Sequence, residues 1–389
     1  MISASESPAG FFSRHCGIRM TGLIAWWRKR SGEAAWLLLL LFLPGFAHAS
    51  DPAEPLTGET RLHYIAADEV DWNYAPAGNV LLDLQCCGDD SAWLKRGKEQ
   101  KPPVFKKAVF REYTDETFTK LKPRAAAWEH AGILGPVIRA EVGDRIEVTV
   151  KNNVSFPVSL HAHGVHYLKP YEGAGYPDGT NGSDKDDDAI APGDTYTYRW
   201  QVPIRSGPGP DDPSSVVWLY HSHVHSPADT NTGLVGALIV TRHGAARADA
   251  SPKDVDREFV TLFMNFNETE SRFAQRNAAL LAPAGRAELN RFHSINGYVF
   301  GNLPMMRMKF GERVRWYLVA LGDETDLHTP HWHGNTVLHE GRRTDVIELL
   351  PASMKVADMR ADNPGIWLYH CHVNDHVKAG MAGRYEIEK

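Results

Sequence analysis

The sequence predicts an all-β protein made of two β-sandwiches in one chain. Three observations carry that prediction. Short runs with period-two alternation are separated by Gly, Pro, Asn and Asp, the pattern of half-buried strands and turns. The 389 residues, 43% hydrophobic, suffice for two globular cores. The same succession of local motifs occurs twice along the chain.

The first segment does not belong to the fold. Arg28-Lys29-Arg30 precede an apolar run, Ala34 to Phe46, broken by Pro44 and followed by Ala47-His48-Ala49. A basic flank, an apolar run of about 7–15 residues and an A-x-A site describe a signal peptide over 1–49, with an uncleaved N-terminal anchor as the alternative. Met20 could serve as the start, and without an adjacent Arg pair a twin-arginine route has no support. The expected destination is secreted or periplasmic. That leader holds five Lys/Arg and two Asp/Glu, leaving 37 basic and 46 acidic residues, net −9. An acidic surface argues against nucleic acid and suits cationic substrates.

From Thr60 onward the strands follow in order. Leu62-His-Tyr-Ile-Ala-Ala, Arg145-Ile-Glu-Val-Thr-Val, Thr195-Tyr-Thr-Tyr-Arg-Trp and Val216-Val-Trp-Leu-Tyr fit half-buried strands, and Val235-Gly-Ala-Leu-Ile-Val a fully buried one. Arg242 to Arg257, with Ala, Asp and Ser-Pro, is linker-like. Phe259-Val-Thr-Leu-Phe, Val314-Arg-Trp-Tyr-Leu-Val and Gly365-Ile-Trp-Leu-Tyr open a second strand-rich region. The boundaries expected are 50–245 for the first domain, 246–257 for the linker and 258–389 for the second. Cysteines are few: Cys16 in the leader, the adjacent pair Cys86-Cys87, and Cys371, so there is no disulfide framework. Met305, Met306 and Met308 could gather copper, but core packing or a strand edge explains them better.

The chemistry concentrates near the C-terminus. Cys371 stands between His370 and His372, with His376 five residues on and Met381 five further. Two imidazoles, a thiolate and a weak axial thioether are the ligands of a blue electron-transfer copper. On a strand Cys371 faces one side while His370 and His372 face the other, which suggests a wire from one copper to another centre.

The two regions repeat each other. Gly143-Asp-Arg-Ile-Glu-Val, His161-Ala-His163-Gly and Leu219-Tyr-His221-Ser-His223-Val in the first answer to Gly311-Glu-Arg-Val-Arg-Trp, His331-Trp-His333-Gly and Leu368-Tyr-His370-Cys-His372-Val in the second. Ser222 stands in the place of Cys371 and Val158 in that of His328, so the first region lacks blue-copper ligands but keeps both His-x-His pairs. Residues i and i+2 on a strand point the same way, so each pair can present two imidazoles to one cluster. Eight imidazoles are too many for one metal and suit three coppers.

With H-x-H-G, H-x-H, H-x-x-H-x-H and H-C-H-x-x-x-H-x-x-x-x-M all intact, the chain resembles the multicopper oxidases. More closely it resembles the ceruloplasmin and hephaestin branch and the A domains of coagulation factors V and VIII. The resemblance runs through Tyr113-Thr-Asp-Glu-Thr-Phe, Glu172-Gly-Ala-Gly-Tyr-Pro-Asp, Asp229-Thr-Asn-Thr-Gly-Leu-Val-Gly, Ile295-Asn-Gly-Tyr-Val-Phe-Gly-Asn-Leu and Asp326-Leu-His-Thr-Pro-His-Trp-His-Gly. Ceruloplasmin has six such domains; this sequence has two. The resemblance implies Greek-key cupredoxin (plastocyanin-like) sandwiches and about four coppers per chain, one type 1, one type 2 and two type 3. Type 1 copper would take His328, Cys371, His376 and Met381; type 2, His161 and His331; type 3, His163, His221, His223, His333, His370 and His372.

It also implies oxidation of a metal-ion or small organic reductant coupled to reduction of O2, with electrons entering near the exposed edges of His328 or His376. Glu288, His293, Glu324 and Asp375 match an acidic iron site beside the blue copper, which favours a ferroxidase over a laccase-like phenol oxidase or a cuprous oxidase. A calcium site is implied at the Lys169 carbonyl, Asp184, Asp187 and Asp188, with a solvated charge run as the alternative. Two-domain relatives point to a homotrimer with the trinuclear site between subunits; a monomer with an intrachain cluster competes. A copper nitrite reductase would need its blue site in the first domain, which Ser222 and Val158 oppose. A non-catalytic copper-binding module would have incomplete ligand sets, and here every position is filled.

Overall fold

A computed structural model describes residues 58–78, 81–82 and 103–389, which lie in one compact unit, Glu54–Lys389. The leader over 1–49 and the Cys86-Cys87 pair lie outside the described residues. Among the described residues no helix is long and apolar enough to cross a membrane.

Among the described residues, the first half carries β1 (Thr60–Asn73), β2 (Val104–Tyr113), β3 (Ile138–Glu141), β4 (Arg145–Asn152), β5 (His161–Ala162), β6 (Thr195–Gln201), β7 (Ser215–His221), helix α1 (Ser226–Thr232) and β8 (Val235–Thr241). The second carries β9 (Arg257–Asn267), β10 (Arg291–Ile295), β11 (Met306–Lys309), β12 (Arg313–Ala320), β13 (Pro330–Trp332), β14 (Val337–His339), β15 (Arg342–Thr344), β16 (Met354–Arg360), β17 (Gly365–Cys371), helix α2 (Asn374–Lys378) and β18 (Ala382–Glu388). The runs singled out in the sequence all fall in strands. β4 alternates buried residues with half-buried ones after an exposed first position, whereas β8 is buried throughout, because both its faces are covered.

Each half folds as two sheets with one shared plan. The first half has sheets β2-β1-β4-β6 and β3-β8-β7-β5; the second has β10-β9-β12-β16, extended by β14 and β15, and β11-β18-β17-β13. In both halves the same two pairs are parallel, β1 with β4 and β9 with β12, and β3 with β8 and β11 with β18. One apolar core fills the first sandwich around Ile146, Val148, Trp200 and Leu238, and another fills the second around Trp316, Trp332, Tyr369 and Tyr385. Met306 and Met308 belong to that second core, which accounts for them as packing.

A third core joins the halves, with Val217, Leu219, Ala237 and Ile239 against Val260, Leu262, Tyr317 and Val319. Polar links reinforce it. Arg139 holds Glu258 through two bonds of 2.9 and 3.1 Å, and fully buried Lys107 donates to Glu268 at 2.6 Å. Ligands from either half are thereby carried on one rigid frame.

The glycine ending each His-x-His-Gly has a steric reason. Gly164 and Gly334 sit at φ +75° and +71°, and a Cβ there would come within 2.1 Å of Trp218 and 2.5 Å of Trp367. Only glycine satisfies both constraints.

Candidate metal centres

β13 and β17 pair antiparallel with Pro330 opposite Cys371 and His331 opposite His370. Alternation along β17 buries Tyr369 and Cys371 in the second core and turns His370 and His372 to the other side, against the ring of His331. Helix α2 then brings back His376. The three side chains converge: His328 Nδ1 and His376 Nδ1 are 3.2 Å apart, and Cys371 Sγ lies 4.0 and 3.7 Å from them. Met381 is fully buried and tied to the same turn, donating its N–H to the His376 carbonyl at 3.0 Å and accepting the Cys371 N–H at 3.1 Å.

Both histidines present Nδ1, so each must keep its proton on Nε2 to serve as a neutral ligand. Asp326 Oδ1 stands 3.1 Å from His328 Nε2 and can accept that proton's bond. The Asn265 amide lies 3.5 Å from His376 Nε2, and its Oδ1 is buried without a hydrogen-bond partner among the described residues. Turned about its axis, that amide offers the missing acceptor. Burial lowers His328 and His376 to about 3, keeping both rings neutral, and raises the Cys371 thiol above its ordinary value, so a metal must displace its proton. Donor set and surroundings fit a blue copper.

The sequence leads to electron entry at exposed edges of His328 or His376, but these residues are only 1% and 6% exposed. Asp326 seals the His328 edge, because packing rather than ligand spacing decides exposure. The His376 ring is itself covered by the His293 ring, whose centroid lies 4.9 Å away.

The other histidines form two quartets. In the second half His370 Nε2 is 3.2 Å from His331 Nδ1 and 3.1 Å from His333 Nε2, and the His372 ring is 5.2 Å from that of His331. In the first half β5 pairs with β7 in the matching register, His161 opposite His221. There His163 Nε2 is 3.2 Å from His221 Nε2, and the His161 and His223 rings are 5.2 Å apart. His221 and His370 each point Nδ1 at the carbonyl of the next residue, Ser222 at 3.0 Å and Cys371 at 2.8 Å. A carbonyl only accepts, so Nδ1 carries the proton and Nε2 is left for a metal. Burial lowers His163 and His370 to about 4 and His221 to about 3, which keeps them neutral. Among the described residues no hydrogen bond or ring contact joins the two quartets. The eight imidazoles are therefore brought together as two groups of four, not as one cluster.

Of the residues matched to an iron site, Glu288 Oε1 lies 2.9 Å from His293 Nε2, and Glu288 and Asp375 both act electrostatically on His376. Hydrogen bonding to His293 holds the Glu288 carboxyl below its ordinary value. Glu324 and Asp375 are exposed. In the acidic loop Asp184 is exposed, while Lys185 pairs with Asp188 at 3.3 Å and Asp178 at 2.8 Å, and Lys169 pairs with Asp178 at 2.9 Å. Asp187 turns inward and is fully buried. Among the described residues the sets of three or more possible ligands within 4.8 Å of one another are His328–Cys371–His376 and His331–His333–His370. The loop acids and the iron-site acids are not among them.

Sequence reasoning missed Asp326 and Asn265. The first had a local signal, a carboxylate two residues before a ligand histidine; the second, on β9, had none.

Two sequence profiles, each described as Multicopper oxidase, match residues 112–244 and 272–389. Human "Ferroxidase HEPHL1" is 40% identical over 374 residues, covering 93% of this chain and 31% of the relative. Human hephaestin is 40% identical over 344 residues (84% and 28%), and human ceruloplasmin 37% over 342 residues (84% and 30%). The chain thus spans less than a third of the length of these relatives. A solved multicopper oxidase superimposes with TM-score 0.55 at 22% identity, covering 85% of this chain and 89% of its own. The copper nitrite reductase of Nitrosomonas europaea gives 0.54 at 18% identity, covering 85% and 94%. Those two likenesses carry the cupredoxin-type sandwich fold and nothing finer.

Proposed function

Because this chain belongs to the multicopper oxidase family, we propose that it is an exported ferroxidase: four Fe²⁺ give up one electron each, and O2 with four protons becomes two waters. The observation that carries the iron reading is the row Glu288–His293–His376, which places a carboxylate and an imidazole directly beside a blue-copper ligand. Hard carboxylate oxygens favour Fe³⁺ over Fe²⁺, so binding there lowers the iron potential and assists electron release. Relatives that bear the name ferroxidase support the same substrate.

His328, Cys371, His376 and Met381 would hold type 1 copper, His161 and His331 type 2, and His163, His221, His223, His333, His370 and His372 the type 3 pair. Bound copper supplies the one-electron steps and the reduction of O2. The chain's own part is to hold Nδ1 or Nε2 of each ring toward its centre, keep the rings neutral, and link Cys371 covalently to His370 and His372. The two domains, 50–245 and 258–389 with the linker 246–257, each contribute one quartet.

The separation of the quartets favours assembly across subunits. A ring in which the first domain of one subunit faces the second domain of its neighbour closes by rotation, and a homotrimer is the form proposed. Asp187, whose Oδ1 is buried without a hydrogen-bond partner among the described residues, is the strongest member of the calcium set with the Lys169 carbonyl, Asp184 and Asp188.

Steady-state O2 consumption by the copper-loaded protein tests this reading, with Fe²⁺, Cu⁺, Mn²⁺ and a phenol as separate reductants. Fe²⁺ should turn over fastest at about four coppers per chain. A faster phenol or Cu⁺ rate returns the protein to the laccase-like or cuprous-oxidase reading.

A further inference from the structure

His161 is set apart from its partners by what holds it. His221 and His370 direct Nδ1 to the carbonyl of the next residue along the chain, whereas His161 Nδ1 reaches the Glu172 carbonyl, 2.7 Å away on a loop eleven residues further on. That loop is itself fixed from below. The Gly173 N–H, on the far side of the same peptide, donates to Asp187 Oδ2 at 2.7 Å. The Gly173 carbonyl accepts the Ser159 hydroxyl at 2.7 Å, and Ser159 Oγ accepts the His223 N–H at 3.0 Å. Behind these, Tyr198 donates its hydroxyl to the Asp187 carbonyl at 2.7 Å and accepts the Leu160 N–H at 3.1 Å. Asp187, Ser159 and Tyr198 are all fully buried. Gly173 has φ +71°, and a Cβ there would meet the Leu160 carbonyl oxygen at 2.4 Å, so the loop lies directly against the strand that carries His161.

We propose that Asp187 is a positioning residue for His161: its carboxylate fixes the Glu172–Gly173 peptide, whose carbonyl holds the His161 Nδ1–H and leaves Nε2 directed at the metal. The inference rests on the copper assignment above but deepens it. A carbonyl can only accept, so a fixed Glu172 oxygen selects one tautomer and one ring orientation. Outer-shell partners of this kind typically change metal affinity 10–100-fold when removed. The acidic loop then acts on the copper cluster through one peptide rather than through its net charge.

The test compares Asp187→Ala with Asp187→Asn, which keeps an acceptor oxygen. In the metal-free protein, ¹⁵N NMR of labelled histidine should show His161 as a single Nδ1–H tautomer in the parent and in Asp187→Asn, and as a mixture in Asp187→Ala. In the copper-loaded protein, Asp187→Ala should lose at least tenfold in type 2 copper affinity, read from the EPR signal, with the blue absorption of the second half unchanged. If Asp187→Ala fails to fold, Ser159→Ala cuts the same chain of bonds and carries the same expected result. An unchanged tautomer and type 2 signal overturn the proposal, and so does equal loss of blue and type 2 signals or an Asp187→Asn that behaves like Asp187→Ala. If the parent takes up no type 2 copper, the copper reading fails, while the metal-free tautomer still decides the role of Asp187.

Discussion

Asp326 Oδ1 lies 3.1 Å from His328 Nε2 while also accepting the Asn265 N–H at 2.7 Å, so one buried carboxylate ties a ligand ring to β9. Its other oxygen accepts the Asp323 N–H at 3.0 Å. Asp326→Ala should therefore lower copper affinity at the blue site by about 10–100-fold while leaving the two quartets unaltered. Competitive copper titration followed at the blue band measures this. An unchanged affinity would show that packing alone orients His328.

Cys371→Ser should remove the intense visible absorption and abolish turnover while the fold survives. The colour needs the thiolate, whereas the exchange of sulfur for oxygen removes little volume from the second core. Survival of the blue band would show the ligand assignment to be wrong.

The iron reading makes a selective demand. Glu288→Ala and Asp375→Ala should slow Fe²⁺ oxidation at least tenfold, in line with losing a ligand interaction of about 1.4 kcal/mol or more, and spare a bulky organic reductant. Stopped-flow rates with both reductants decide it; equal losses on the two would point to damage at the blue site itself.

Much of this arrangement was readable because it is local. Period-two alternation exposed β4, and the spacing of His370, Cys371, His372, His376 and Met381 is fixed within one strand, one turn and one short helix. What was not readable depends on tertiary packing. Asn265 meets His376 across 111 residues, and nothing around it marks it as more than a strand residue. The burial of His328 could not be foreseen either, since it depends on where the chain places Asp326. Charge marks Asp187 in the sequence, but its burial against the Gly173 N–H depends on tertiary packing. The parallel pairing of β1 with β4, like the core between the halves, joins segments that no local pattern connects.

Stability should depend on pH through His130, which lies between the halves. Its ring, 3% exposed, accepts the Val260 N–H at 3.2 Å, and burial lowers it to about 4. An unfolded histidine titrates near 6.5, so its contribution is complete above about pH 6.5 and is lost as pH falls toward 4. The slope is about 1.4 kcal/mol per pH unit across that window. The stability gap between the copper-loaded parent and His130→Gln should narrow steadily from pH 7 to 4.5 in denaturant unfolding. A constant gap would contradict the neutral, buried ring.

The central claim is that the two histidine quartets of different subunits build one O2-reducing site. The direct measurement mixes a His161→Ala/His163→Ala chain with a His331→Ala/His333→Ala chain, each inactive alone, under conditions that exchange subunits. Mixed rings contain junctions where an intact first-domain quartet faces an intact second-domain quartet, and these should recover a fraction of the parent's O2 consumption. Demonstrated mixed trimers with no recovered activity would contradict the account.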